Sequence, residues 1–348
     1  MPSSRRAPDP PPGRPGPWPD RYGPWPDRHG SPSGPMRSRE AGTVAVLGAT
    51  GCVGRSVRAA FIEAGRPVLA VARDRARRPD GGGCEPLDVA TAAPREIAEL
   101  LTAADVRVVV NATGGWLATE EANEHHHVRL VENLLEGTAS MAAPPRIVQV
   151  GSIHEYGPVP PGTPIDESVE PKPVTPYART KLAGSRALLD ATRAGGAHAV
   201  VLRSVNVCGP GVAPASFLGT VVRRLREAGP GRAIELSVGD ARRDFLDVRD
   251  LAAAVVQAAD APVVGRVINL GRGEAVSIRT MLALLLEGAG LPADAIEKRE
   301  AKVESRGGDW TLADIRVAGE ALGWSPTIGL RESMRDMWES SAAVRSFS

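Results

Sequence analysis

The chain has 348 residues, 42% hydrophobic and 24% charged, and its 42 lysines and arginines against 41 aspartates and glutamates leave a net charge of +1. Such a balance lends no support to a nucleic-acid or membrane-surface partner. No run of about 18 apolar residues is present, so no membrane-spanning helix is predicted, and the length suits one large or two small domains.

The first 40 residues stand apart, with 12 of the 31 prolines and a short repeat, Gly16-Pro-Trp-Pro-Asp-Arg-Tyr22 then Gly23-Pro-Trp-Pro-Asp-Arg-His29. A segment of this composition buries no core and is expected to be a disordered leader. It lacks the apolar stretch of a secretory signal, and Met36 is an alternative translation start. A Pro-rich partner-binding tail is the competing expectation.

Thr43–Leu47 is a β-rich apolar run, read as a buried strand. Gly48-Ala-Thr-Gly51-Cys-Val-Gly54 follows at once, then a helical stretch to about Ala64. Strand, glycine turn and helix are the context a dinucleotide site requires. Gly48 permits the tight turn, Gly51 lets the backbone approach a pyrophosphate, and Gly54 lets helix and strand pack closely. The helix N-terminus offers free N–H groups and a positive dipole end to phosphate. Thr50, Cys52 and Val53 complete the loop. The glycines are spaced three and three, not two and three as in the dehydrogenase fingerprint, and a tight turn without a ligand is the alternative.

A second strand, Pro67–Ala72, ends in Arg73-Asp74-Arg75-Ala76-Arg77-Arg78. An acid at this strand end binds the ribose 2′-OH of NAD, whereas an arginine accommodates the 2′-phosphate of NADP. Arg73 comes first, which favours NADP(H); Asp74 keeps NAD(H) possible. Strand Val106–Asn111 runs into Asn111-Ala112-Thr113-Gly114, strand Arg146–Val150 into Gly151-Ser152, and strand Ala199–Arg203 into the loop holding Asn206. Ligands bind outside such carboxyl ends. His125-His126-His127 invites a metal reading, but consecutive helical residues point in different directions. These histidines are expected on the helix surface, and no metal is expected. Cys52, Cys84 and Cys208 are odd in number and far apart, as free thiols of a cytoplasmic protein would be.

Tyr177 and Lys181 lie four residues apart on a predicted helix, hence on one face. A free tyrosine, with a pKa near ~10, transfers protons poorly at neutral pH. A neighbouring ammonium would stabilise the phenolate and lower that pKa. Ser152 could then hydrogen-bond the oxygen of a carbonyl or carbinol, which makes Ser152, Tyr177 and Lys181 the candidate catalytic group. Strands and helices alternate to about residue 203, predicting an α/β fold with a doubly wound, Rossmann-type parallel sheet. Beyond it, helices are predicted near Pro214–Ala228, Val248–Ala259, Ser277–Gly288 and Ala313–Leu322, and short strands near Ile234–Leu236 and Val267–Asn269. Residues 41–205 are thus expected to form the dinucleotide domain. Residues 206–340 would mainly form a smaller substrate-binding lobe, some segments returning to the first domain.

In this order the motifs resemble the extended short-chain dehydrogenase/reductase family, specifically the NAD(P)-dependent sugar epimerases and dehydratases, from about Val44 to Trp324. The text Gly151-Ser-Ile-His-Glu-Tyr-Gly157, Pro164-Ile-Asp-Glu167 and Pro176-Tyr-Ala-Arg-Thr-Lys-Leu-Ala183 is similar to actinobacterial dTDP-4-keto-6-deoxyhexose 4-ketoreductases. The resemblance implies cofactor contacts at Gly48, Thr50, Gly51, Cys52, Val53, Gly54, Arg73, Asp88, Asn111, Ala112, Thr113, Tyr177 and Lys181. It implies nucleotide-sugar contacts at Asn123, Asn206, Arg243, Arg306 and Asp309, the arginines gripping phosphate through paired donors. Ordinary ion pairs of Arg243 with Asp244 or Asp247, and of Arg306 with Asp309, are the competing expectation. Trp116 is either a cover over the sugar or an exposed loop residue. Ile153-His154 stands where the dehydratases have an Asp-Glu pair, and isoleucine is no general acid. NADPH-dependent reduction of a nucleotide 4-keto-6-deoxysugar in natural-product biosynthesis is therefore expected, by a homodimer. An NAD-dependent 4-epimerase and a non-catalytic NADP-binding protein are the alternatives.

Overall fold

The computed structural model describes residues 42–73, 83–229, 231–300 and 308–342. The leader, Asp74 with the arginines that follow it, and Arg306 lie outside the described residues.

In chain order the first part runs β1 (Thr43–Leu47), α1 (Cys52–Glu63), β2 (Val68–Ala72), β3 (Glu85–Pro86), α2 (Pro94–Ala103) and β4 (Val106–Asn111). Next come α3 (Glu120–Glu124), a π-turn (His125–Arg129), α4 (Leu130–Ala139), β5 (Arg146–Ser152), a 3-10 turn (Ile153–Tyr156), α5 (Pro176–Arg193) and β6 (His198–Ser204). The remainder is β7 (Asn206–Cys208), α6 (Phe217–Ala228), β8 (Ile234–Val238), β9 (Arg242–Asp247), α7 (Val248–Asp260), β10 (Val267–Leu270), β11 (Ala275–Ser277), α8 (Ile278–Gly288), β12 (Ile296–Glu300), β13 (Trp310–Thr311), α9 (Arg316–Leu322) and α10 (Leu330–Ser340).

The main sheet has seven parallel strands in the order β10-β6-β5-β4-β1-β2-β3. The chain steps outward from β1 to β3, then restarts on the other side of β1 with β4. That reversal between β1 and β4 opens a crevice at their carboxyl ends. Side chains of a strand alternate between faces, so Val44 and Val46 join Val57 and Phe61 of α1 and Val255 of α7 in one core. Ala45 and Leu47 face the other way, against Ile97 of α2, Leu134 of α4 and Leu188 of α5. Each fully buried aliphatic or aromatic side chain contributes about 1.5–3 kcal/mol, so two dry faces clamp the sheet and hold its strand ends in place.

Residues beyond 205 divide between two places. β10 becomes the seventh strand of the main sheet, beside β6, and α7 packs on α1. A third core forms elsewhere, from Leu218 and Val222 of α6, Met281 and Leu285 of α8, and Met334 of α10. β9 gathers β7, β11 and β13 into a small sheet beside it. These short strands escape sequence patterning because they pair over long separations, as Asn206 does with Phe245. Two helices start later than their patterns predict. Ser216 caps α6 by accepting from Gly219 N at 3.0 Å, and Ala313 is taken up in a bridge to Ile165 before α9 begins.

Candidate active site

The glycine loop is built as a cradle. Gly48 has φ +75, a conformation a side chain disfavours. Its carbonyl oxygen accepts from Gly51 N at 2.9 Å and lies so close to Gly54 that a Cβ there would collide with it. No side chain caps α1, whose first residue is Cys52, so its leading N–H groups are left for an anion. Thr50, Gly51, Cys52 and Val53 all retain some exposure along this turn. Burial pushes the Cys52 thiol above its ordinary range, which keeps it protonated and suits a packing role. Gly54→Ala is expected to abolish nicotinamide-dinucleotide binding and to cost about 1–3 kcal/mol of stability. Dinucleotide titration and urea unfolding of the variant check both.

At the end of β4, Asn111 is buried and shapes the loop from below. Its amide donates to Gln149 Oε1 at 2.8 Å, and its Oδ1 accepts from Thr113 N at 3.1 Å and Thr113 Oγ1 at 2.6 Å. Ala112 N bonds Leu47 O at 3.1 Å, tying the loop to β1. Lys181 is 3% exposed and donates from Nζ to Thr113 O at 3.0 Å and Val150 O at 3.1 Å. It therefore bridges the ends of β4 and β5.

Ser152 ends β5 and caps the 3-10 turn. Its Oγ accepts from His154 N at 3.3 Å, while its backbone N–H donates to Glu155 Oε1 at 2.8 Å. The other carboxylate oxygen of Glu155 accepts from Arg203 Nε at 2.8 Å. This ion pair is dry, with Glu155 at 0% and Arg203 at 4% exposure, and the guanidinium also lies 4.3 Å from the centre of the Tyr156 ring. Tyr177 sits in the first turn of α5, whose cap Thr175 accepts from Ala178 N at 3.2 Å, and has the Ser152 side chain beside its phenol. Burial pushes the Tyr177 phenol up to about 12; the Ser152 hydrogen bond works against that rise and the Glu155 charge adds to it. Burial pulls the Lys181 ammonium down to about 8, with the Glu155 carboxylate opposing. The expectation that Lys181 lowers the Tyr177 pKa does not hold here. The ammonium is turned to two carbonyls, and desolvation of the phenol dominates. Tyr177 is thus held as a protonated acid.

Trp116 stacks on Tyr177 with ring centres 4.3 Å apart and 17° between planes. It meets His154 edge-on at 5.6 Å. Burial holds the His154 imidazole down at about 4, assisted by the Arg243 charge and opposed by a hydrogen bond with Asn206. Asn206 also donates to Asp244 O at 3.4 Å. Arg243 forms neither ion pair weighed above: its Nη2 donates to Gly308 O at 2.6 Å, and its buried Nε has no partner among the described residues. Asp244 instead accepts from Arg272 N and Gly273 N, and Asp247 pairs with Arg249. Ser152, Tyr177, Trp116, His154, Asn206 and Arg243 form one contiguous cluster. Asp309 is exposed beside it, its charge opposing the burial that lowers Arg243, and Arg306 lies outside the described residues. Asn123 is 2% exposed and donates to Leu117 O at 3.2 Å and Thr119 O at 2.7 Å, so it fixes the loop that carries Trp116. Asp250 is structural, accepting from Thr327 and Ile328 backbone N–H groups.

The histidine triplet departs from expectation. It occupies a π-turn, where the backbone widens, and His127 is 1% exposed and bonds Thr180 Oγ1 at 2.8 Å. Burial, with the Lys181 charge nearby, drops His127 to about 2, so it is a neutral wedge behind Tyr177 and not a surface residue. His125 and His126 reach outward to Asp88 and Arg73, both at 3.1 Å. Among the described residues, no group of three or more His, Cys, Asp or Glu could hold a metal, and no helix is long and apolar enough to cross a membrane. Glu155, Arg203 and His127 were missed as site residues. The one local signal was an arginine closing an otherwise apolar strand, Ala199–Leu202.

Residues 44–271 match the profile of the NAD dependent epimerase/dehydratase family. The chain belongs to that family. It is 38% identical over 299 residues, covering 85% of this chain and 94% of the relative, to a dTDP-6-deoxy-L-talose 4-dehydrogenase (NAD(P)(+)) of Kitasatospora kifunensis. It is 29% identical over 220 residues, 60% of this chain and 70% of the relative, to a GDP-6-deoxy-D-mannose reductase of Pseudomonas aeruginosa. Among solved structures it is similar to MoeE5 in complex with UDP-glucuronic acid and NAD, with a TM-score of 0.71 and 27% identity over 88% of this chain and 100% of that one. This family member is accordingly an NAD(P)-dependent oxidoreductase of the nucleotide-sugar dehydrogenase, reductase and epimerase group. The cofactor is a nicotinamide dinucleotide, NADP(H) or NAD(H): the Kitasatospora relative is named for NAD(P)(+) and MoeE5 holds NAD.

Proposed function

We propose that this protein uses NADPH to reduce the keto group at C4 of a dTDP-activated 4-keto-6-deoxysugar, within deoxysugar biosynthesis. The observation that carries the reading is the Tyr177 phenol, buried under Trp116 beside the Ser152 side chain at the end of β5 and pushed up to about 12 by that burial. A net reduction needs a proton donor at the carbonyl oxygen, and a protonated phenol is one. At the two positions after Ser152 no free carboxylate stands ready for the elimination chemistry of a dehydratase: Ile153 is buried in the core, and His154 follows it, while Glu155 is spent on Arg203 and Ser152.

When bound, the nicotinamide supplies the hydride. The glycine cradle Gly48–Gly54 fits its pyrophosphate, since the loop leaves room for backbone and none for a Cβ at Gly54. Arg73 and Asp88 would hold the adenosine end, and Ala112 and Thr113 line the loop between the β1 and β4 ends. Ser152 hydrogen-bonds the substrate oxygen as charge develops there. Tyr177 releases its phenolic proton to that oxygen, while Lys181 holds the ends of β4 and β5 together through Thr113 O and Val150 O. Trp116 shields the Tyr177 ring from water. Arg243, whose buried Nε has no partner among the described residues, and Asn206 would grip the substrate diphosphate, with Asp309 toward its nucleotide.

The test is incubation with dTDP-4-keto-6-deoxyglucose, following the reduced-nicotinamide absorbance with NADPH and NADH in parallel. Oxidation with NADPH preferred, and a C4 carbinol in the product by NMR, supports the reading. No net oxidation, together with NAD that co-purifies, would replace it by 4-epimerisation.

A further inference from the structure

We infer that His126 is a second ligand for the 2′-phosphate of NADP(H), closing together with Arg73 on a single phosphomonoester. The inference rests on the reading that seats the adenosine end of the cofactor over the ends of β2 and β3.

The strand order places those ends beside the glycine loop of β1. Arg73 is the first residue after β2, and Asp88 follows β3 by two. The π-turn belongs to the segment after β4, on the far side of β1. Even so, His126 Nε2 comes within 3.1 Å of Arg73 Nη1, and His125 Nε2 within 3.1 Å of Asp88 Oδ2. The turn therefore reaches over the end of β1 and meets the ends of β2 and β3. Its geometry makes this possible: the His125 and His126 rings sit edge-to-face, 5.0 Å apart, while His127 turns inward.

A guanidinium and an imidazole side by side are an awkward pair by themselves. Among the described residues no carboxylate forms an ion pair with Arg73 to explain the meeting. Among the described residues, the groups facing His126 are Arg73 from the end of β2, His125 from its own turn and Asp88 from the end of β3. Burial, Arg73 and His125 lower its pKa, and Asp88 raises it. The imidazole is therefore neutral at neutral pH and accepts from the guanidinium. A phosphate dianion laid against both residues changes the balance. Its charge favours the imidazolium, which donates from Nε2 to one phosphate oxygen while Arg73 donates to another. Binding then takes up one proton at His126. NADH offers only a ribose hydroxyl there and takes up none.

The sign follows directly. A group protonated by the ligand binds that ligand less well as pH rises, so NADPH affinity relative to NADH falls as pH rises through the neutral range. The phosphate's own titration, near pH ~6, is common to every variant. The experiment titrates the full-length protein with NADPH and with NADH, reading tryptophan fluorescence, across that range. His126→Ala is expected to weaken NADPH roughly tenfold, to leave NADH unchanged, and to flatten the pH dependence of the ratio. His126→Arg should restore NADPH preference without the pH dependence. Unaltered NADH affinity reports that the variants are folded. Should His126→Ala keep both the wild-type ratio and its pH dependence while Arg73→Ala loses the preference, the role of His126 is overturned and that of Arg73 stands. Should Arg73→Ala also keep the preference, the seating of the 2′-phosphate is wrong and the inference falls with it.

Discussion

Tyr177→Phe is expected to lower turnover about 10²–10⁴-fold, the span of a positioned proton donor, while dinucleotide affinity changes little. The phenyl ring keeps the place of the phenol: Trp116 still stacks on it at 4.3 Å and the edge of His127 still meets it at 5.4 Å. What vanishes is one hydroxyl, the partner of Ser152. Losing a dischargeable proton slows the step in which negative charge gathers on the substrate oxygen, and leaves the grip on phosphate alone. Steady-state kinetics with the keto sugar, beside a dinucleotide titration, separates the two. Turnover within a few fold of the wild type would remove Tyr177 from the mechanism. The pH dependence carries the same signature. A phenol pushed up to about 12 remains protonated through the neutral range, so reduction needs no prior ionisation and stays level there. The reverse oxidation needs the phenolate, so its rate climbs as pH rises. A reduction rate that rose with pH would contradict the assignment.

Glu155→Ala is expected to destabilise the fold by about 3–5 kcal/mol, the cost of leaving one member of a buried ion pair alone. Arg203 keeps its charge at 4% exposure, and among the described residues Tyr156, its ring centre 4.3 Å away, is left to face it. The backbone N–H of Ser152 loses its acceptor as well, so the end of β5 loosens where the hydroxyl pair is held. Glu155→Gln retains hydrogen-bonding oxygen and nitrogen and should cost less. Replacing both partners, as in Glu155→Met with Arg203→Met, should recover part of the stability, because no lone charge remains buried. Urea unfolding midpoints rank the variants. A loss below about 1 kcal/mol for Glu155→Ala would mean that water reaches Arg203, contrary to its burial.

Much of the site was legible from residue order. Glycines at the end of a buried strand, a serine closing β5 and a tyrosine one helical turn before a lysine are local patterns, and the structure gathers them at one edge of the sheet. Asn206 and Arg243 were also named, and they meet at His154. The character of these groups was less legible. Lys181 was expected to act on Tyr177 by its charge, yet its ammonium is engaged by Thr113 and Val150 carbonyls. All three histidines are expected on the surface because consecutive helical residues cannot join on one metal, yet that same divergence, on a π-turn, points His127 inward.

The sequence alone determined the apolar runs that become buried strands, the helical spacing of Tyr177 and Lys181 and the glycine turn, because each depends on neighbours within a few residues. Tertiary packing decided the rest. Glu155 and Arg203 are 48 residues apart, and they meet because β5 and β6 pair in register, Gly151 beside Arg203. Arg73 and His126 are 53 apart and meet because the segment after β4 crosses the end of β1. The proton on Tyr177 is held by desolvation, a property of everything packed around the ring, which no short stretch of sequence encodes.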